Sequence, residues 1–183
     1  MARISVNNVA NALRNYPALR SNRYEVYIAL PSVIGGGLQG PFWATNVVMP
    51  GRNLATQERR TFGPQRDMPY ERLFSGDMEI TFMLTAGGWE RNIFEKWMDG
   101  IIDPNTNRLK GNRNDYLGEI EIDLNGEDGN SVEYGIIAKE VFPKQIAPVS
   151  LSYNSENELV QQQISFSFRN YEQKNANQNN SLG

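Results

Sequence analysis

The sequence predicts a mainly β fold of the α+β kind, a β-sandwich or barrel with one flanking α-helix. Three observations lead there. Seven or eight short segments alternate apolar and polar residues with period two, as strands with one wet face do. Turn residues separate them, among them Pro31, Gly35-Gly36-Gly37, Pro50-Gly51, Gly63-Pro64 and Asn125-Gly126. Only residues 88–102 combine helical periodicity with large apolar side chains.

In chain order, residues 5–16 fit a short helix, with Ser5 as cap and Val6, Val9, Ala10 and Leu13 on one side. Pro17 ends it, and so short a helix needs a partner surface. Tyr24, Val26, Ile28 and Leu30 alternate with Arg23, Glu25 and Tyr27 in a strand. Residues 42–49 form a second strand and residues 54–60 a weaker third. Residues 61–76 read as a long loop or extended hairpin. Disordered loops are poor in aromatics, so its Phe62, Tyr70 and Phe74 suggest that it orders against something.

Residues 77–84 alternate cleanly, with Met78, Ile80, Phe82 and Leu84 inward. In the helix over 88–102, Trp89, Ile93, Phe94 and Trp97 are the expected core face. Further strands are expected over 118–124, 131–142, 149–153 and 159–171. In the last of these, Val160, Ile164, Phe166 and Phe168 lie opposite Gln161, Gln163, Ser165 and Ser167. The organisation expected is an N-terminal segment 1–22 that makes an inter-subunit contact, a β domain 23–172, and a flexible polar tail 173–183.

Composition bounds the chemistry. The chain has 183 residues, enough for one domain that buries roughly 70% of its unfolded surface without a metal or disulfide. It has no histidine and no cysteine. That removes Ser-His-Asp and Cys-His catalysis, thiol nucleophiles, disulfides and Cys-rich zinc sites. No cofactor or metal is expected. No apolar run approaches the roughly 18–20 residues of a membrane span, and the first residues lack a signal-peptide core. The expectation is synthesis in the cytosol without membrane insertion. Residues 1–75 hold 9 arginines and 4 acids, net +5, which leaves -8 for the remainder of a chain of net charge -3. Such polarity suits a protein that meets its own copies head to tail.

Several constellations have plainer readings. Asp123, Asn125, Glu127 and Asp128 approach a calcium loop, but Asp128 stands where an EF-hand has glycine, so the pattern reads as a hairpin turn. Glu119 and Glu121 have the spacing of a glycosidase pair and equally that of a solvated strand face. Arg52, Arg59, Arg60, Arg66 and Arg72 among aromatics fit nucleic acid or, more sharply, a protein interface. A well-patterned domain without a nucleophile–base pair is expected to bind or build rather than to catalyse.

Residues 42–102 resemble the tail tube proteins of contractile-tailed bacteriophages. The order is Ala44-Thr45-Asn46-Val47-Val48-Met49-Pro50-Gly51, a second strand, a long loop with Arg60-Thr61-Phe62-Gly63, the strand Met78-Glu79-Ile80-Thr81-Phe82, then the helix with Trp89, Phe94 and Trp97. The ending, from Pro148 through Asn154-Ser155-Glu156-Asn157-Glu158 to Phe166 and Phe168, is similar too. The resemblance implies hexameric rings, with strands joining between subunits, stacked into a hollow tube that delivers DNA. It implies the sheath, tape measure and baseplate proteins as partners, and a place in the virion tail. Type VI secretion tubes, pyocins and baseplate initiators share this fold, so a tube initiator or secretion-tube subunit is the nearest alternative. A ligand-binding β-barrel and a tail glycosidase are further ones.

Under that resemblance, Arg59, Arg60, Phe62, Arg66, Asp67, Tyr70 and Arg72 are the inter-ring candidates. Glu119, Glu121, Asp123, Gln161, Gln163, Ser165 and Ser167 are the lumen candidates. Each Lys or Arg that neutralises a phosphate adds affinity, so a channel for DNA is better lined by carboxylates, amides and hydroxyls, which leave it unbound.

Overall fold

The computed structural model describes residues 19–39, 41–59, 63–75, 77–127, 129, 131–152 and 159–174. The expected helix over 5–16, Arg60, Phe62, Asp128 and residues 175–183 of the tail lie outside the described residues. The elements run β1 (Tyr24–Leu30), a 3-10 turn (Ser32–Ile34), β2 (Gly37–Gln39), β3 (Ala44–Val48), β4 (Gly51–Arg59), β5 (Arg66–Ser75), β6 (Met78–Met83), α1 (Trp89–Ile101), α2 (Arg113–Tyr116), β7 (Gly118–Asn125), β8 (Val132–Ile146), β9 (Gln161–Ser167) and β10 (Asn170–Lys174).

Eight strands join in the order β2-β1-β7-β8-β9-β6-β3, with β10 also on β8, while β4 and β5 pair only with each other. All pairings are antiparallel. Strand β8 serves two halves of the sheet. Its first part has β7 on one edge and β10 on the other, and its last residues pair with β9. Gly118 faces Val141 while Ile120 faces Ala138, so β8 carries one extra residue between them. This bulge holds Glu140 at φ 55, a left-handed conformation unusual for a side chain of this length. Arg113 Nη2 (3.0 Å) and Arg169 Nη1 (2.5 Å) both donate to the Glu140 carboxylate.

The alternation seen in the sequence becomes the core. Val26, Ile28, Ile120, Ile122, Ile136 and Ala138 are buried on one half, and Met78, Ile80, Phe82, Ile164 and Phe166 on the other. Helix α1 inserts Phe94 and Trp97 among them, with Phe94 ring centroids 5.2 Å from Phe82 and 5.5 Å from Phe166. The Trp97 indole donates to the Tyr116 carbonyl at 2.8 Å. Gly118 lets it approach. A Cβ there would stand 2.7 Å from the Trp97 ring and 2.5 Å from the Ala29 oxygen.

Several expectations need correction. Residues 66–75, expected as part of a long loop or extended hairpin, are strand β5, because they have an antiparallel partner in β4. Residues 149–152 form no strand. The strand expected over 159–171 is two, β9 and β10, which follow each other along one edge of β8 in unbroken register, Ser167 opposite Phe142 and Asn170 opposite Lys139, with Phe168 and Arg169 between them in neither strand. Gln173 and Lys174 end β10 rather than beginning a tail. Of the core-helix residues, Phe94 and Trp97 are buried and Ile93 half-buried, but Trp89 is 47% exposed at the first turn, where its ring stacks on Phe42. Gln162, not Val160, is fully buried on β9. Its amide donates to the Ala147 carbonyl and accepts from Arg91, so the polar group is satisfied.

Trp97→Ala is expected to cost about 3–5 kcal/mol and Gly118→Ala about 1–3 kcal/mol, read from denaturant unfolding followed by circular dichroism. An unchanged midpoint for Gly118→Ala would contradict the close approach described above.

Candidate functional site

Two surfaces concern function, the β4–β5 ribbon and the wet face of β7 and β9. The ribbon departs from the body between β3 and β6. Its strands of nine and ten residues span about 30 Å at 3.3–3.4 Å per residue. Residues 51–59 and 66–73 are exposed apart from half-buried Ala55. Leu54 (61%), Met68 (51%), Tyr70 (67%) and Leu73 (46%) stand in water. An isolated two-stranded ribbon is marginal in water.

The tip adds a second peculiarity. Arg59 lies opposite Arg66, and Glu58 opposite Asp67. Like charges directly opposite each other are destabilising. Successive residues alternate faces, so one face of the tip is basic and the other acidic. The inter-ring candidates Arg59, Arg66, Asp67, Tyr70 and Arg72 thus share one ribbon. Tyr70 is the extra residue where the register slips between Ala55 and Thr56. At the root, Arg52 donates to the Tyr171 carbonyl at 2.5 Å and lies 4.1 Å over the Tyr171 ring. Both contacts draw on the flat guanidinium, which donates and stacks at once. Arg52 stood among the sequence's arginines, but nothing local to it pointed to Tyr171, 119 positions away.

The lumen candidates fall into two sets that are not neighbours, since β8 separates β7 from β9. On β7, Glu119 is exposed, Glu121 half-buried and Asp123 only 4% exposed. Asp123 is thereby withdrawn from the wet face. Lys174 covers it, pairing with Glu121 and standing 2.9 Å from Asp123 Oδ2. Gly135 lies opposite Asp123, and a Cβ there would be 2.5 Å from Oδ1. Oδ1 has no hydrogen-bond partner among the described residues. Burial raises the Asp123 carboxyl above its ordinary range, against the pull of Lys174. The hydrogen bond to Glu121, chiefly, raises Lys174. On β9, Gln161 and Gln163 are exposed and Ser165 and Ser167 half-buried, and Gln163 donates to Glu79 at 2.9 Å.

Of the Glu119–Glu121 pair, Glu119 is exposed and Glu121 is held by Lys174. Among the described residues no group of three or more acids is placed to hold a metal ion, and no helix is long and apolar enough to cross a membrane.

Two outcomes follow. Arg52→Ala is expected to leave the unfolding midpoint within about 1 kcal/mol of wild type, since exposed pairs contribute little. It should, however, accelerate amide exchange in residues 51–59 and 66–73, and unchanged exchange would remove Arg52 as the anchor. The Asp123 carboxyl should titrate above 3.8 by carbon NMR. A raised carboxyl binds its proton more tightly when folded. Its contribution therefore stabilises below the unfolded value and is lost as pH rises through the folded one.

No curated protein sequence matches this chain. Solved structures are similar in fold. The cap of the anti-feeding prophage, a tube terminating cap, superposes with a TM-score of 0.64 at 20% identity, covering 95% of this chain and 96% of that one. A chain of the sheath–tube complex of the extracellular contractile injection system PVC gives 0.63 at 15% identity, covering 94% and 99%. One from that system's sheath/tube terminator gives 0.63 at 18%, covering 87% and 97%. A family model described as phage tail tube protein matches residues 19–174, nearly the whole of the described structure. The chain belongs to the phage tail tube protein family.

Proposed function

We propose that this chain is the repeating structural subunit of an inner tail tube, in which six copies close a ring and rings stack into a channel for DNA. The observation that carries the reading is the β4–β5 ribbon. It holds exposed apolar residues and unrelieved like-charge pairs on an element attached at one end, which suits burial against another copy. In this reading Arg59, Arg60, Phe62, Arg66, Asp67, Tyr70 and Arg72 meet the neighbouring ring, together with segment 1–22. Strands β2, β3 and β10 each leave an edge free among the described pairings. Pairing such edges between subunits removes a hazard of aggregation.

Glu119, Glu121, Gln161, Gln163, Ser165 and Ser167 offer carboxylates, amides and hydroxyls to a channel that passes DNA without gripping it. The role is structural rather than enzymatic, in keeping with a chain that lacks histidine and cysteine. The PVC neighbour comes from a sheath–tube complex, and another solved neighbour from a baseplate. The corresponding partners here are a sheath, a baseplate and a tape measure protein, in a tail built from subunits made in the host cytoplasm.

The test is negative-stain electron microscopy of the purified chain at high concentration, alone and with added baseplates. Hollow tubes are expected. Single rings that extend only on baseplates still support a tube subunit, and single rings that never extend would assign the chain to the end of a tube. The double variant Arg66→Glu, Arg72→Glu is expected to stay folded and form no tubes. Normal tubes from it would remove the ribbon from the inter-ring contact. Wild-type chains that stay monomeric even on baseplates would overturn the tube reading.

A further inference from the structure

We infer that the β4–β5 ribbon of one copy seats on an aromatic pole of the next copy, formed by Trp43, Trp89 and Val160. The inference rests on the tube reading and names the acceptor that reading leaves open.

The two ends of β6 differ in kind. The ribbon joins the body at its Met78 end. At its other end, Met83 donates to the Trp43 carbonyl (2.8 Å) and the following Leu84 to the Val160 carbonyl (2.9 Å). These bonds set Trp43 and Val160 on either side of the end of β6. Trp43 is 66% exposed and Val160 39% exposed. Trp89 completes the pole, its ring stacked 5.4 Å from buried Phe42, the residue before Trp43. Six residues of β6 keep the two poles about 20 Å apart.

Exposed tryptophans mark interfaces, where Trp, Tyr and Arg supply most of the binding energy. The ribbon brings the complementary side chains: Tyr70, Met68, Leu54 and Leu73 for apolar contact, and Arg59 and Arg66 for the faces of the indoles. Charge agrees. Residues 51–75 hold five arginines and three acids. Residues 41–47, which carry Trp43, contain no lysine or arginine.

Donor and acceptor are different surfaces on opposite ends of one subunit, so the contact is heterologous. It repeats without closing, as an open stack requires. A second apolar group, Val33, Ile102 and Leu109, lies at the far end of α1 from Trp89 and has no aromatic member. It serves as the control.

Because the chain has no cysteine, single cysteines report contacts cleanly. The variants Tyr70→Cys, Trp43→Cys and Leu109→Cys are each exposed changes to the full chain. Tyr70→Cys is mixed with one of the other two, assembled, sedimented and treated with a flexible bis-maleimide. Tyr70→Cys with Trp43→Cys is expected to give a cross-linked heterodimer, identified by mass spectrometry, at least tenfold above the Tyr70→Cys with Leu109→Cys mixture. Trp43→Glu is expected to fold with wild-type circular dichroism and stop at single rings. Assemblies that sediment normally yet cross-link to Leu109→Cys, or not to Trp43→Cys, would overturn the acceptor and leave the tube reading standing. If wild-type chains give no sedimenting assembly even on baseplates, the tube reading falls and the acceptor with it.

Discussion

Everything in the body of this protein depends on β8 belonging to both halves of the sheet. Fifteen residues pair first with β7 and β10 and then with β9. A strand that bends in this way carries extra residues, and the one between Ala138 and Val141 puts a non-glycine side chain at positive φ. That conformation costs on the order of 1–3 kcal/mol and persists only where the surroundings over-determine it. The surroundings are visible: two arginines, from α2 and from the link between β9 and β10, converge on the Glu140 carboxylate. The bulge lies in the pairing with β7, while on the other edge β9 and β10 follow each other in one register, Ser167 opposite Phe142 and Asn170 opposite Lys139.

Strand β10 then carries more than its five residues suggest. Lys174 covers Asp123 and Glu121 on β7, Lys139 on β8 binds Glu172 at 2.7 Å, and Tyr171 receives Arg52 from the ribbon. One short strand thus ties the wet face of the sheet to the root of the projecting element. The cost is a buried Asp123 oxygen without a hydrogen-bond partner among the described residues, at a place where Gly135 opposite it leaves room that a Cβ would fill.

The ribbon is the opposite case, an element whose local interactions do not suffice. It pairs along its full length, yet nearly all of its described side chains face water and its tip sets like charges opposite each other. Body and ribbon thus differ in kind: the body folds around its own core, while the ribbon leaves Leu54, Met68, Tyr70 and Leu73 exposed.

The strands with clean alternation were legible in the sequence: β1, β6, β7 and β9 appear where the period-two pattern puts them. Each buries one face against a single core, and burial of that kind writes itself into residue type. The segment 61–76 was read as a long loop or extended hairpin, and residues 66–75 of it pair with β4, though Tyr70 stays exposed. What the sequence left unread depends on pairing at a distance. No local pattern tells that β5 pairs with β4, that Phe168 and Arg169 break a continuous alternation, or that Asp123 lies under Lys174, 51 positions away. The helix shows the same limit. The spacing of Trp89, Ile93 and Trp97 fixed its face, but only the position of its first turn relative to Phe42 decided that Trp89 stays half in water. Amino-acid type alone determines which side chains leave water and with what period. Which of them meet is decided by strand register and by bulges, because both depend on edges that form only when distant segments come together.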